Sequence, residues 1–272
     1  MIQSSSSAPR LLLLSNSRDS AGRFLEWPRD AVRAFLGRAV ESVVFVPYAN
    51  VHGAPEDHAA RVREAFEAMG YSLTAVIDGV ARNAADAIAH AEAIVVGGGN
   101  TFRLLERMYE NDLLGEIRAR VAAGVPYIGW SAGSVVACPT IRTTNDMPIV
   151  EPPSLKALGL VPFQINAHYT TASIPGLQAE TRDDRLAEFL ELNRGIDVMA
   201  LPEGTLLHVE GREIEVWGSL PVKRLRYAEE PVELVPGTVL QPVAGSDTNQ
   251  QRQKSTATQI NSNCNSDTNR RG

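Results

Sequence analysis

The chain has 272 residues, 44% of them hydrophobic and 21% charged, with a net charge of −6. That is enough to bury a sizeable core, and ordinary for a globular protein rather than a fibrous or disordered one. The negative balance, without a basic stripe or an aromatic-plus-basic cluster, excludes nucleic acid as an expected partner, and leaves an acidic substrate dependent on a local Arg or Lys.

Residues 1–9 are Ser-rich and read as a disordered N-terminus. The four Leu of RLLLLS are too few for a signal core or a membrane span, and no basic region precedes them. They read as a buried strand. SVVFVPYA, YSLTAVID, EAIVVGGG and VPYIGWS follow the same pattern, apolar and closed by turn residues. Between them, segments near 27–37, 56–69, 83–91 and 112–123 read as helices. In the last, Leu113, Leu114, Ile117 and Val121 recur at helical spacing and Gly124 closes the run. The alternation predicts an α/β fold with parallel βαβ units in a doubly wound sheet. After residue 195 the strand candidates DVMALPEG, TLLHVEG, REIEVWGS and VKRLRYAEE come close together, which predicts antiparallel strands extending or flanking that sheet. Residues 244–272 are polar with almost no large apolar side chain and read as a disordered tail. One domain over 10–243 remains. Two Cys, 138 and 264, lack disulfide-framework or metal spacing, so a reducing, cytoplasmic setting is expected.

In open parallel sheets, sites form beyond the carboxyl ends of strands. Two strand ends here are Gly-rich. VVGGGNTF at 95–102 fails the dinucleotide pattern, because Phe102 stands at the third Gly position, and it lacks the Lys of a phosphate loop. It reads either as a turn whose N–H groups face a site or as a plain tight turn. YIGWSAGS at 127–134 contains Gly129-Trp-Ser131-Ala-Gly133, the pattern of a nucleophile elbow between a strand and a helix.

A serine nucleophile needs a base, and the base an orienting acid. Of five His, His52 and His58 lie in VHGAPEDH and read as solvated loop residues. His90 reads as exposed on an Ala-rich helix, and His208 as structural in a strand. His168 ends the apolar run LVPFQINAH at a strand-end position, and is the candidate base. Asp146 in IRTTNDMPIVEP and Glu203 in ALPEGT are the candidate acids, and both also read as turn or cap residues. The order Ser131, Asp146, His168 is that of α/β-hydrolases, but the 37 residues from Ser131 to His168 are too few for the βα units those enzymes insert. A compact triad on another α/β scaffold is expected.

LLLLSNS, VVGGGNTFRLL, YIGWSAGSVVACPTIRTTNDMPIVEP, LVPFQINAHYT, ETRDDRLAEFL and LPEG resemble the peptidase E (α-aspartyl dipeptidase) family of serine peptidases, from about residue 10 to 237. The resemblance implies a glutamine-amidotransferase-like (flavodoxin-like) α/β fold and cleavage of dipeptides with N-terminal aspartate. It maps Ser131 to the nucleophile and His168 to the base. Asp146 and Glu203 match two competing proposals for the acid, of which Asp146, inside the most family-like block, is preferred. Gly99 and Ala132 match the oxyanion hole. Position 134 is Ser where the family pattern has Ala, and the tail has no family counterpart.

The expected chemistry is attack by Ser131 on the aspartyl carbonyl, with an aspartyl-enzyme ester then hydrolysed by water. Arg142 is the first candidate to hold the substrate's side-chain carboxylate, with Asn100 and Thr144 lining the same pocket. A small dipeptide is the expected partner. No metal, organic cofactor or membrane is expected, and self-association is left open. Alternatives are a cyanophycinase-like peptidase acting on aspartyl–arginine polymer, a small-acyl esterase, and a non-catalytic binding protein on the same scaffold.

Overall fold

The computed structural model describes residues 8–77, 84–172 and 180–241. Strand β1 (Arg10–Leu14) shows why the chain builds a sheet covered on both faces. Successive strand side chains point to opposite faces. Leu11 and Leu13 join one core cluster, Leu12 and Leu14 another, and all four are fully buried. In β2 (Ser42–Val46), Val44 and Val46 enter the first cluster while Val43 and Phe45 enter the second. Together with β3 (Ser72–Ala75), β4 (Ile94–Val96) and β5 (Tyr127–Trp130) they form five parallel strands in the order β1-β5-β4-β2-β3.

Helices α1 (Arg29–Leu36) and α2 (Pro55–Ala68) cover one face through Val32, Phe35, Val62 and Phe66. The other face is covered by α3 (Ala84–Ala89), α4 (Thr101–Glu110), α5 (Leu113–Ala122) and α6 (Ala132–Val136). The sheet is doubly wound, as the alternation of strands and helices predicts.

The later strands divide. In sequence they are β6 (Gln164–Ala167), β7 (Val198–Leu201), β8 (Thr205–Glu210), β9 (Glu213–Gly218), β10 (Val222–Leu225), β11 (Val232–Leu234) and β12 (Val239–Leu240). β8 pairs antiparallel with β1, β9 with β8 and β12 with β9, extending the main sheet to eight strands. The others form a separate four-stranded sheet, β11-β10-β7-β6, in which β6 and β7 run parallel.

Two helices lie outside the expected set. One is α4, entered directly from the Gly-rich turn, with Asn100 Oδ1 accepting the Arg103 N–H at its N-terminus. The other is α7 (Arg182–Leu192), started by a reciprocal capping box between Thr181 and Asp184. His58 also differs from expectation. It belongs to α2, not a loop, and packs between the rings of Phe24 and Phe45 with Nε2 buried and unpartnered. The stretches expected to be disordered, residues 1–9 and 244–272, lie outside the described residues apart from Ala8 and Pro9. No helix among the described residues is long and apolar enough to cross a membrane.

Candidate active site

Strand β5 ends at Trp130, and the chain turns at Ser131 with φ 53° and ψ −116°. A positive φ at a residue with a Cβ costs about 1–3 kcal/mol and persists only where surrounding packing enforces it. That packing is built from glycine. A Cβ on Gly133 would lie 2.1 Å from Val96 O, and one on Gly129 would lie 2.5 Å from Gly133 O. Only hydrogen at both positions lets α6 fold back on β4 and β5. Three further bonds hold the turn. Ser131 N donates to Leu14 O at 3.0 Å, and Tyr127 Oη donates to Gly133 O at 2.7 Å. Ser134 Oγ, fully buried, has Leu14 O at 2.7 Å and Gly129 O at 2.8 Å for its single proton.

His168 follows β6 and also has φ 53°. Its Nε2 lies 2.8 Å from Ser131 Oγ, and its Nδ1 lies 2.9 Å from Glu203 Oε1. A carboxylate can only accept, so Nδ1 carries the proton and the Nε2 lone pair faces the hydroxyl. The Glu203 side chain is 66% exposed. A polar contact so solvated adds little stability, and what the carboxylate contributes is the orientation and tautomer of the ring.

Asp146, preferred from the sequence as the orienting acid, does not touch His168. Its Oδ2 accepts the Thr101 N–H at 2.8 Å and the Thr101 hydroxyl, and Thr144 Oγ1 lies 3.2 Å away. The segment carrying it folds over the first turn of α4, where unpaired N–H groups and the helix dipole favour an anion. Asn100 and Thr144 serve the same junction. Asn100 Nδ2 donates to Met147 O at 2.8 Å, and Thr144 Oγ1 donates to Thr101 Oγ1 at 2.9 Å. Arg142 is exposed, and its side chain has no partner among the described residues.

The Gly-rich turn after β4 lies directly against the elbow. A Cβ on Gly98 would fall 3.0 Å from Ser131 Cβ, and one on Gly99 (φ 142°) only 2.2 Å from Ala49 O. No acceptor among the described residues takes the Gly99 N–H. The Ala132 N–H, first of α6, has no intrahelical acceptor either. These are the two amides expected of an oxyanion hole.

Several residues near the site escaped the sequence reading. Ser15 and Asn16 follow β1. Ser15 Oγ donates to Leu201 O and accepts the His168 N–H, while Asn16 Oδ1 accepts the Gly204 N–H at 2.8 Å. The signal was a polar pair straight after an apolar strand, at the strand end where sites form. Arg182 is half-buried with its guanidinium on Asn145 Oδ1, and Asn145 Nδ2 donates to Ala167 O, next to His168. Burial, with Arg185 adding to it, lowers the guanidinium pKa from its usual value. Beside the imidazole opens a cavity of about 590 Å³, walled by His168, Glu203, Pro202, Leu220 and Lys223. Lys223 in that wall is already paired with Asp183 at 2.8 Å. Among the described residues no group of three or more His, Cys, Asp or Glu side chains is placed to hold a metal.

The profile of Peptidase family S51 matches residues 11–217. A protein named Peptidase E from Nostoc sp. is 47% identical over 227 residues, covering 84% of this chain and 93% of that one. Another Peptidase E, from Citrobacter koseri, is 44% identical, covering 84% of this chain and 98% of its own length. Among solved structures, a peptidase from an acI-B1 Actinobacterium superposes with a TM-score of 0.66 at 16% identity. It covers 87% of this chain and 98% of that one, a likeness of fold. The matched span includes the elbow, the Gly-rich turn, His168 and Glu203, and with relatives this similar over most of their length the chain belongs to peptidase family S51, a family of serine-type peptidases.

Proposed function

We propose that the protein hydrolyses dipeptides bearing N-terminal aspartate, through an aspartyl ester on Ser131. The observation that carries this reading is the continuous hydrogen-bonded line from Ser131 Oγ through both nitrogens of His168 to Glu203. His168 Nε2 takes the Ser131 proton as Oγ attacks the aspartyl carbonyl. Glu203 keeps the ring in the required tautomer and stabilises the imidazolium that forms. The Gly99 and Ala132 N–H groups receive the developing oxyanion. The imidazolium then protonates the leaving amine, and water activated by the same imidazole releases aspartate.

Specificity for a negative side chain requires a cation held next to the acyl side. Arg182 fits this role better than Arg142, because Asn145 ties its guanidinium to the strand end that carries His168. The cavity beside the imidazole suits the leaving residue, since that is the side from which the amine is protonated. The names of the Nostoc and Citrobacter relatives accord with this reading.

The test is leucine release from Asp-Leu, with Ala-Leu as control, by wild type and Ser131→Ala. Cleavage of Asp-Leu alone, abolished in the variant, supports the proposal. Cleavage that survives in Ser131→Ala removes the nucleophile assignment. Faster turnover of aspartyl–arginine polymer or of a simple ester than of any aspartyl dipeptide would replace the substrate assignment and keep the serine chemistry.

A further inference from the structure

We infer that Asp146 is a positioning residue, which acts by holding the Gly97–Asn100 turn so that the Gly99 N–H meets the oxyanion; the inference rests on the proposed role of Gly99. Three successive glycines impose little steric preference on that turn, so its shape must come from outside. On one side stands β2's outgoing chain. Ala49 O accepts the Asn100 N–H at 2.8 Å, and leaves no room for a side chain at Gly99. On the other side stands the segment 144–147. Asp146 Oδ2 accepts both the N–H and the hydroxyl of Thr101, and Met147 O accepts from Asn100 Nδ2. Gly99 is thus followed by two residues clamped between a carbonyl and a carboxylate.

The same segment reaches the other half of the machinery. Asn145 Nδ2 donates to Ala167 O at 2.7 Å, and Asn166 Nδ2 donates to Asn145 Oδ1 at 2.7 Å. Residues 144–147 therefore connect the oxyanion turn to the strand end that presents His168. A carboxylate suits the clamp because charge-assisted bonds to an N–H and a hydroxyl are stronger and shorter than neutral ones. An oxyanion donor is sensitive to such holding, since a displacement of about 1 Å in a catalytic group can cost about 10²-fold in rate.

The experiment measures kcat, KM and the pH profile for Asp-Leu in wild type, Asp146→Asn, Thr101→Val and Thr101→Ser. Asp146→Asn is expected to lower kcat about 10²-fold, in the range for losing an oxyanion donor, with KM within about 2-fold. Thr101→Val, which removes only the hydroxyl of the clamp, is expected to lower kcat roughly 10-fold, the scale of a lost hydrogen bond to a charged group. Thr101→Ser keeps the hydroxyl and should restore wild-type kcat. The pH of half-maximal kcat/KM should stay at the wild-type value in all, because nothing touching His168 has changed.

Wild-type kcat in Thr101→Val, whatever Asp146→Asn does, would overturn the inference, as would a rise in KM with kcat retained in Asp146→Asn. The two threonine variants decide the matter even if Asp146→Asn does not fold. Wild type inert toward Asp-Leu would sink the dipeptidase reading instead. The same four proteins would then be compared on p-nitrophenyl acetate, which needs the same oxyanion donors, and wild type inert there too would overturn both.

Discussion

Ser15 Oγ accepts the His168 N–H at 3.0 Å and donates to Leu201 O at 2.8 Å, so one buried hydroxyl joins the end of β1 to the ends of β6 and β7. Ser131 is fixed to the same end of β1 through Leu14 O. The large sheet supplies Ser131, the proposed nucleophile, the small sheet supplies the imidazole and Glu203, and Ser15 links the two. Ser15→Ala leaves the His168 N–H without its acceptor, while Leu201 O keeps the Tyr169 N–H, and should cost about 1–3 kcal/mol. It should also lower kcat for Asp-Leu more than it raises KM. Urea unfolding and steady-state kinetics check both; full stability with wild-type kcat would remove Ser15 from that role.

Glu203 is the acid that touches the imidazole, so Glu203→Gln should lower kcat by about 10²–10⁴ with little change in KM, the range found when an orienting acid loses its charge. Because the side chain is largely exposed, its melting temperature should stay near wild type. A kcat within a factor of two of wild type would show that the ring needs no carboxylate there.

The elbow tolerates no side chain at Gly133. Gly133→Ala sets a Cβ against Val96 O and should destabilise the fold by about 2–4 kcal/mol, among the larger single-residue effects. Gly115 in α5 is the contrast. It is exposed with open space around its Cβ position, so Gly115→Ala should stabilise by roughly 0.5–1 kcal/mol. Equal effects in thermal unfolding would show that backbone crowding is not what the elbow glycines relieve.

Selection for aspartate should depend on Arg182. Arg182→Ala is expected to lower kcat/KM for Asp-Leu at least 10-fold while changing Asn-Leu little, since one lost charge-assisted hydrogen bond is worth about 1.5–3 kcal/mol. Arg142→Ala, on an exposed side chain, should leave the Asp/Asn ratio nearly unchanged. A collapse of the ratio in Arg142→Ala instead would reverse the assignment.

His58 makes the fold sensitive to acid. Burial between Phe24 and Phe45 lowers its pKa below the usual 6.5, and the charges of Arg61 and Arg18 act in the same direction. The unfolded chain therefore binds a proton at His58 at a pH where the folded chain does not. By linkage, stability is unaffected above about 6.5 and declines as pH falls below it. Melting temperatures from pH 7.5 to 5 should fall less steeply in His58→Leu than in wild type. Parallel slopes would show that His58 is not the responsible group.

Much of the architecture follows from local pattern. The apolar run of β1, whose alternate leucines enter opposite clusters, can only be a strand covered on both faces. The small residues around Ser131 read as a sharp turn, and the crowding at Gly129 and Gly133 is its structural reason. Helix α7 was equally legible in the sequence through its Thr181–Asp184 capping box.

What sequence by itself determined was the α/β class, the Gly-x-Ser-x-Gly turn at Ser131, the strand-end position of His168 and a tight Gly-rich turn after β4, because each depends on residues adjacent along the chain; that the two turns lie together came from the pairing of β4 with β5. The acid depended on tertiary structure. Asp146 lies nearer to His168 in sequence, yet parallel pairing of β6 with β7 aligns Ala167 with Leu201 and brings the residues after both strands to one end of the small sheet. That register arises from long-range packing. Folding then carries Asp146 to the first turn of α4, where the Thr101 N–H and hydroxyl bind its carboxylate, and leaves the imidazole to Glu203.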